Sequence, residues 1–544
     1  MKKRSILLLI IFSCFLILPN NVWAKEFKQI NQTSSVLRYY ESITKKAKSP
    51  IYSNGQNKSD TYKLDNGDYL VAGPSALSRM SSSGTLIWSV PINDMFYDVT
   101  LLGDYVYLGG TYGPVLKIRL SDGVVVKEND EFPGYKLVND GTYIYSIFEN
   151  YIVKFDQNLN IVDDYNCSSD LTDGKISYNY SVTIDDDYLY LINLVGTPYQ
   201  YTYTDNEGVS HTATGYDYES RIIKLDMNLN KIDVMKVNTY NLDDIGFGGP
   251  NEQATFFKDN NGNLYLVDDY IIKVDKYGNA EMLYDPRPSD VSSNVLRTKI
   301  YTAGTIVGNY LVVGGLDITV SKNGISNQSL YNGAATLADP DLNSASVPMN
   351  SPVIRDLIPI VDVYDLNNKL IETHELKADN ESDNSFNALN ISKTSTEGFL
   401  VKWTSTRENL DMMFKYNALE ESTPNNMSLI VTEFGKVGKV KINVKGLGKV
   451  RIVNDDCACG EEVELVTTPE KGYYLKSIVV RDVNGKKITV KNNKFVMPCN
   501  GDVTVDAQFR KIVNPKTSSI IIICILLGFM IVGSTIIVKK KRFQ

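Results

Sequence analysis

The chain has 544 residues and a formal charge of −8. That length calls for more than one domain, and the acidic balance excludes a nucleic-acid partner, which demands a basic face. Two histidines and six cysteines argue against acid-base chemistry built on histidine and against a disulfide scaffold; no metal and no cofactor is expected.

The first element is a signal peptide at residues 1–24. Lys2-Lys3-Arg4 is followed by an apolar run from Ile6 to Leu18 and then by Val22-Trp23-Ala24, which places cleavage after Ala24. The run is too short to span a bilayer comfortably. Residues 25–58 form a polar N-terminal extension with a helix expected around Val36 to Lys46. The extension either caps the domain that follows or supplies the strand that closes it.

Residues 59–426 carry a repeat with two marks. One is a strand ending in a cation, an apolar residue and a small polar residue: Ile152-Val153-Lys154-Phe155-Asp156, Ile222-Ile223-Lys224-Leu225-Asp226 and Ile271-Ile272-Lys273-Val274-Asp275 are its clearest copies, and Met413 to Asn417 the last. The other lies upstream, a turn leading into an aromatic strand such as Gly103-Asp104-Tyr105-Val106-Tyr107 or Gly141-Thr142-Tyr143-Ile144-Tyr145. Turn residues separate the strands, as in hairpins. The small polar position recurs at 81, 121, 156, 226, 275, 365 and 417. The shorter intervals suit a four-stranded blade, so the expected fold is all-β: a β-propeller of about seven blades, followed by a small all-β module and a C-terminal transmembrane helix. The stretch Leu77 to Trp88, with Gly84 and Trp88, resembles the repeats of quinoprotein-type (PQQ-like) propellers. That resemblance implies the fold alone. The adjacent-cysteine pair of that family is absent, so its cofactor is not carried over.

Residues 427–511 read as a compact module of short strands, with a hairpin turn at Asp482-Val483-Asn484-Gly485. Gly460-Glu461-Glu462-Val463, Pro469-Glu470-Lys471-Gly472-Tyr473, Phe495-Val496-Met497-Pro498, Gly501-Asp502-Val503-Thr504-Val505 and Phe509 resemble the "bacterial repeat" module of Gram-positive surface proteins, a relative of internalin-type B repeats. The resemblance implies a spacer or adhesive unit; Cys499 departs from it. An exported setting favours a disulfide from Cys499 to Cys457 or Cys459.

At residues 512–518, Asn514-Pro515-Lys516-Thr517-Ser518 precedes an apolar span at 519–538 and the basic tail 539–544. The span would rise about 28 Å as a helix, near the thickness of the hydrocarbon core, and the tail marks the cytoplasmic side. The arrangement resembles a cell-wall sorting signal. It implies a sortase-type transpeptidase partner and Thr517 as the new C-terminus, although Asn514 stands where Leu is usual and Ser518 where Gly is usual. An uncut single-pass membrane anchor is the alternative. Both put the body of the chain outside, at the cell surface.

No catalytic residue can be assigned. A nucleophile motif is lacking, and the acidic runs Asp185-Asp186-Asp187, Asp243-Asp244, Asp268-Asp269 and Asp259 to Asn263 read as solvated turns. The interval between positions 156 and 226 holds Tyr199, Tyr201, Tyr203, Tyr216 and Tyr218, amphipathic rings suited to stacking on sugars or proteins. A second insertion, Asn323 to Asn350, is rich in small polar residues. The chain therefore reads as a surface-anchored binding or adhesion protein for an extracellular glycan or protein. An extracellular glycan hydrolase or lyase, or an envelope spacer, are the alternatives.

Overall fold

A computed structural model describes residues 26–37, 59–73, 76–92, 97–110, 113–185, 187–205, 208–237, 255–268, 270–285, 295–321, 353–378, 385–394, 397–406, 427–454, 456–499 and 501–513. Every regular element among them is a β-strand, and no helix among them is long and apolar enough to cross a membrane. The expected signal peptide, the Asn514–Ser518 motif, the apolar span and the basic tail lie outside the described residues. The chain divides into two compact units: residues 29–435, and a second that joins the chain up to Lys28 with residues from Lys436 onward.

The larger unit is propeller-like. Among the described residues it holds seven four-stranded sheets. The first six are antiparallel meanders over residues 62–91, 97–129, 136–166, 176–236, 255–284 and 295–375. From the second sheet to the sixth, first strands of neighbouring sheets pack side by side, and apolar side chains fill the space between one sheet and the next. In the third sheet, Ile144 and Val153 face Tyr107 and Val115 of the second. Tyr145, Ile147 and Ile152, one residue out of step, face Leu189 and Ile223 of the fourth. Burial on both faces is why the inner strands are apolar almost without interruption instead of alternating. The fourth strands lie at the rim, as in Val125–Asn129, whose first four residues are exposed.

The seventh sheet is assembled from both ends of this unit. Its strands are Ser385–Lys393, Gly398–Thr406 and Met427–Lys436, and its fourth is the N-terminal strand Phe27–Leu37. Two expectations change here. Val36 and Leu37 are in a strand, not a helix, because this segment completes a hydrogen-bonded edge; positions 38–46 lie outside the described residues. The third strand of the last sheet is Met427–Lys436, which the sequence assigned to the C-terminal module, whereas the segment Met413 to Asn417 lies outside the described residues. The last copy needs no Asp turn after its third strand, since the fourth strand comes from elsewhere. Asn31 Nδ2 donates to Tyr69 Oη at 2.8 Å, and Thr432 Oγ1 to Gln32 Oε1 at 3.0 Å, tying the N-terminal strand on both sides. The seventh sheet meets the first where Thr61 N donates to Ser392 Oγ at 2.8 Å and Lys63 Nζ pairs with Glu433 at 2.6 Å.

The two sequence marks are one physical unit. The aromatic of the second strand pairs directly with the cation of the third: Tyr107 with Lys117, Tyr145 with Lys154, Tyr190 with Lys224, Tyr265 with Lys273. In the first three of these pairs the preceding tyrosine holds the ammonium over its ring, at 4.0 Å for Lys117 on Tyr105 and 3.5 Å for Lys224 on Tyr188. The small polar residue is a turn cap. Asp156 Oδ1 accepts the N–H groups of Asn158 and Asn160 at 2.8 and 2.9 Å, and Asp226 and Asp275 do the same in their own turns. In the turn after Ser121 the capping acceptor is Asp122 instead. Leu159 and Leu229 adopt φ of 57° and 60° in these turns. Each left-handed residue costs about 1–2 kcal/mol, which is offset by burying a leucine, about 1.5–3 kcal/mol.

Neighbouring sheets are then stapled through these turns. Tyr107 Oη donates to Gln157 O at 2.8 Å and Tyr145 Oη to Met227 O at 2.9 Å, each reaching the capped turn of the next sheet; burial pushes the Tyr107 phenol up to about 12. From the first sheet, Trp88 Nε1 donates to Leu120 O at 2.9 Å, and its ring covers Gly123. Gly123 has φ +74°, and a Cβ there would lie 2.8 Å from Trp88 Cδ2.

The smaller unit is the C-terminal module. Val440–Lys445 runs parallel to Val503–Lys511, which pairs antiparallel with Tyr473–Asp482. Gly448–Ile452, Glu462–Pro469 and Lys494–Val496 make a second sheet. Val503, Val505, Ala507 and Phe509 alternate inward, and Val463, Leu465, Val480, Phe495 and Met497 complete the core. Glu26 and Lys28 belong to this unit: Val437 N donates to Glu26 O at 2.8 Å and Lys28 Nζ pairs with Glu461 at 3.0 Å. Of the two pairings open in the sequence, the bridge is Cys459–Cys499. Cys457 is buried outside it, with its Sγ 3.5 Å from Asn454 O.

Gly123→Ala is expected to destabilise the larger unit by about 2–4 kcal/mol, through left-handed strain plus the displaced indole; urea unfolding followed by Trp fluorescence measures it. Reduction of Cys459–Cys499, whose partners are 40 residues apart, should cost the module about 2–4 kcal/mol, read as a lower denaturation midpoint in the presence of reductant.

Candidate functional site

The tyrosines singled out in the sequence lie on one hairpin of the fourth sheet. Its strands Tyr188–Thr204 and Ser210–Asp226 pair along their whole length. The flanking strands stop early: Ile176–Ile184 pairs only as far as Gly196, and Lys231–Lys236 only from Arg221 onward. Beyond that level, residues 197–204 and 210–217 form a two-stranded ribbon paired, among the described residues, only with itself.

The root of the ribbon is held by polar bonds. Arg221 Nε donates to Asn193 Oδ1 at 2.8 Å and Arg221 Nη2 to Cys167 O at 2.6 Å. Arg221 also pairs with Asp170 at 3.3 Å, and Lys231 joins the same carboxylate at 2.8 Å. Burial works to raise the Asp170 carboxyl, but the two cations outweigh it and hold it below the usual range. At the tip, Asp205 accepts Val209 N at 2.9 Å, and its other oxygen lies 2.7 Å from His211 Nε2.

Strand alternation divides the five tyrosines. The register sets Tyr199, Tyr201 and Tyr203 opposite Gly215, Ala213 and His211 on one face. Tyr216 and Tyr218, opposite Pro198 and Gly196, point to the other. The first three rings form a row, with centroids 6.0 and 6.1 Å apart, and His211 stacks on Tyr203 at 5.3 Å. The three tyrosines remain 45–48% exposed. Tyr199 lies across its partner strand: a Cβ on Gly215 would be 2.5 Å from Tyr199 Cζ. Its outer ring face is thereby turned to solvent. His211 is not among the residues singled out in the sequence; its place across the turn from Tyr203 is the signal that marks it.

The other candidates are engaged structurally or lie outside the described residues. Asp185 caps Asp187 and Tyr188 and pairs with Lys258, which lowers its carboxyl against burial. Asp259 caps Asn261 and Asn263 at 2.8 Å each. Asp243, Asp244 and Asn323 to Asn350 lie outside. Among the described residues no group of three or more His, Cys, Asp or Glu side chains is placed to hold a metal ion.

A second polar cluster, invisible in the sequence, occupies the seam where the seventh sheet meets the first. Asn390 and Lys402 are register partners across two strands of the seventh sheet. Asn390 Nδ2 donates to Ser59 O at 2.5 Å and Lys402 Nζ to Ala72 O at 2.8 Å, both on the first sheet's side. Ser392 Oγ donates to Asp60 at 3.1 Å. Nearby, Lys136 pairs with Asp98 at 3.2 Å. Asp60 is exposed in part, and the protein crowded around its carboxyl pushes it up, against the pull of Lys136. Lys402 is 1% exposed; burial pulls its ammonium down to about 7, against the pull of Asp60 and Asp98. These groups bind main-chain carbonyls and one another, as a lock between sheets does.

A family model described as a divergent InlB B-repeat domain matches residues 438–513. The C-terminal module is thus similar to a B-repeat, in agreement with the motifs read between Gly460 and Phe509. No curated protein matches the chain. Among solved structures, the crystal structure of BamB from Moraxella catarrhalis is similar at a TM-score of 0.33 and 12% identity, over 69% of this chain and 82% of that one.

Lys402 makes stability depend on pH with a definite sign. Above about pH 10.5 the amine is neutral folded or unfolded. As pH falls toward 7, the unfolded chain takes up a proton that the folded chain does not, so stability drops; below about 7 the dependence ends. Lys402→Met should remove this slope: between pH 7 and 9.5, the unfolding free energy of wild type relative to the variant rises with pH. A flat difference across that window excludes a depressed Lys402.

Proposed function

We propose that this chain is a surface-displayed binding protein, in which a seven-bladed propeller serves as the rigid scaffold for an extracellular ligand site on the tyrosine ribbon. The observation that carries the reading is the exposed row Tyr199, Tyr201, Tyr203 and His211 on a ribbon that stands clear of the sheet core. Exposed aromatic rows are costly to leave in water and productive in contact with a ligand. Loops and hairpins fixed to a rigid framework are where binding residues concentrate.

Display is supported by the two ends of the sequence. An export signal ending at Ala24 and an apolar span with a basic tail put the body outside. The motif from Asn514 to Ser518 supports attachment by a sortase-type transpeptidase, with retention by the membrane span as the other route to the same placement. The B-repeat-like module then acts as a stalk. The acidic turns offer little to a glycan-hydrolase reading, since Asp185 and Asp259 are committed to capping.

The test is an array of glycans and extracellular proteins probed with the mature chain. Binding should fall about five- to 160-fold in the Tyr201→Ala, Tyr203→Ala double variant, because each stacked aromatic is worth about 0.5–1.5 kcal/mol. Undiminished binding by that variant removes the ribbon from the proposal.

A further inference from the structure

The ribbon also selects among ligands; this inference deepens the reading above and rests on it. The usable strip is two strands wide. Strands lie about 4.8 Å apart and rise about 3.3 Å per residue, so eight paired positions offer about 10 by 26 Å, or about 260 Å². A stable protein partner needs about 800 Å² on each side, with a pocket for its central anchors. A flat row falls well short of that. A single extended polymer chain needs only such a strip.

The chemistry of the face narrows the polymer. Tyr199, Tyr201, Tyr203, His211, Ala213 and Gly215 are its central residues, Thr197 and the exposed Asp217 end it at the root, and none is Lys or Arg. His211, the one imidazole, is engaged by Asp205 at 2.7 Å. A uronate, sulfate or phosphate chain would find no cation there to replace its lost hydration. What the face does present is aromatic surface. Tyr199 lies flat because Gly215 has no side chain. The rings repeat every 6.0 to 6.1 Å, comparable to the length of one sugar residue. The negative face of an aromatic ring attracts the weakly positive C–H face of a pyranose.

We propose that the Tyr199–Tyr201–Tyr203 row, flanked by His211, is a platform for a neutral, linear polysaccharide, laid along the ribbon with one sugar face per tyrosine.

The mature chain is titrated calorimetrically with neutral linear oligosaccharides of the glucan, xylan and chitin types, one to six sugars long. Acidic chains (hyaluronan, alginate) and matrix proteins (fibronectin, collagen) are run beside them. The expected result is binding to a neutral series whose affinity climbs steeply up to three or four sugars and then levels off. Tyr201→Ala should weaken it about two- to twelvefold and the Tyr201→Ala, Tyr203→Ala double variant about five- to 160-fold, while Tyr201→Phe, which keeps the ring and loses the hydroxyl, stays within about twofold. Circular dichroism confirms that the variants keep the fold. Neutral-glycan binding that survives Tyr201→Ala and Tyr203→Ala overturns the platform. Tyr201-dependent binding to an acidic glycan or a protein alone overturns the choice of ligand and leaves the broader reading standing. Failure to bind any probe overturns both.

Discussion

The larger unit depends on one long-range pairing, that of Phe27–Leu37 with Met427–Lys436. Every sheet in the series buries both faces, so each requires a neighbour on each side. Without the N-terminal strand the last sheet would end at Met427–Lys436, leaving a strand buried from Leu429 to Gly435 as the open edge, a template for aggregation. Loop-closure entropy makes this contact only modestly dearer than a local one. Closing about 400 residues instead of about 40 adds about 2 kcal/mol, against a full row of strand hydrogen bonds and the side-chain ties of Asn31 and Gln32. The buried seam beside it follows from the same closure. Asn390 and Lys402 arrive from one end of the unit, and Ser59 and Ala72 from the other.

Within the series, the forces are local and repeated, and for that reason legible in sequence. An Asp that caps its own turn acts over four residues, so Asp156, Asp226 and Asp275 announce themselves by spacing and by the asparagines that follow. Tyr and Lys of adjacent strands sit at register positions that a short hairpin dictates. The staples from Tyr107 and Tyr145 to the next sheet add no new motif; they reuse the same tyrosines. Closure had no such signature. Phe27–Leu37 is polar along much of its length and carries no turn residue of the repeat, and its partner lies beyond any window in which periodicity acts. The C-terminal module was readable for another reason: its motif run is dense, and Val503 to Phe509 shows plain alternation for a sheet with one wet face.

The tyrosine ribbon shows how sequence and register divide the work. Five tyrosines in one insertion could be counted, but not sorted. Their sorting rests on the pairing parity across the Asp205–Val209 turn, which sends Tyr199, Tyr201 and Tyr203 to His211's side and Tyr216 and Tyr218 to the other. The small residues opposite the row acquire meaning only with that register. Gly215 matters because Tyr199 occupies the space its side chain would fill. A free two-stranded ribbon is marginal in water. Here it continues two strands already fixed in the fourth sheet, and the Arg221 bonds to Asn193 and Cys167 clamp it where the flanking strands end.

The two polar features of this unit answer opposite physical demands, which is what separates structure from site. In the seam, Lys402 Nζ and Asn390 Nδ2 are removed from water and given main-chain carbonyls, so the cost of burying these donors is met inside the fold. On the ribbon, three phenol rings are kept in water although the interior could have taken them, as it takes Tyr107, Tyr145, Tyr265 and Tyr301. Of the rings in the interior, Tyr107 and Tyr145 staple neighbouring sheets, while Tyr265 and Tyr301 bond to Asp259 and Asp362 of their own sheets. A row of the same residue held outside, flattened by a glycine and closed by a histidine, contributes nothing comparable to the core. Its stabilisation is available only to something that covers it, and a narrow strip of aromatic faces is covered best by a chain as narrow as itself.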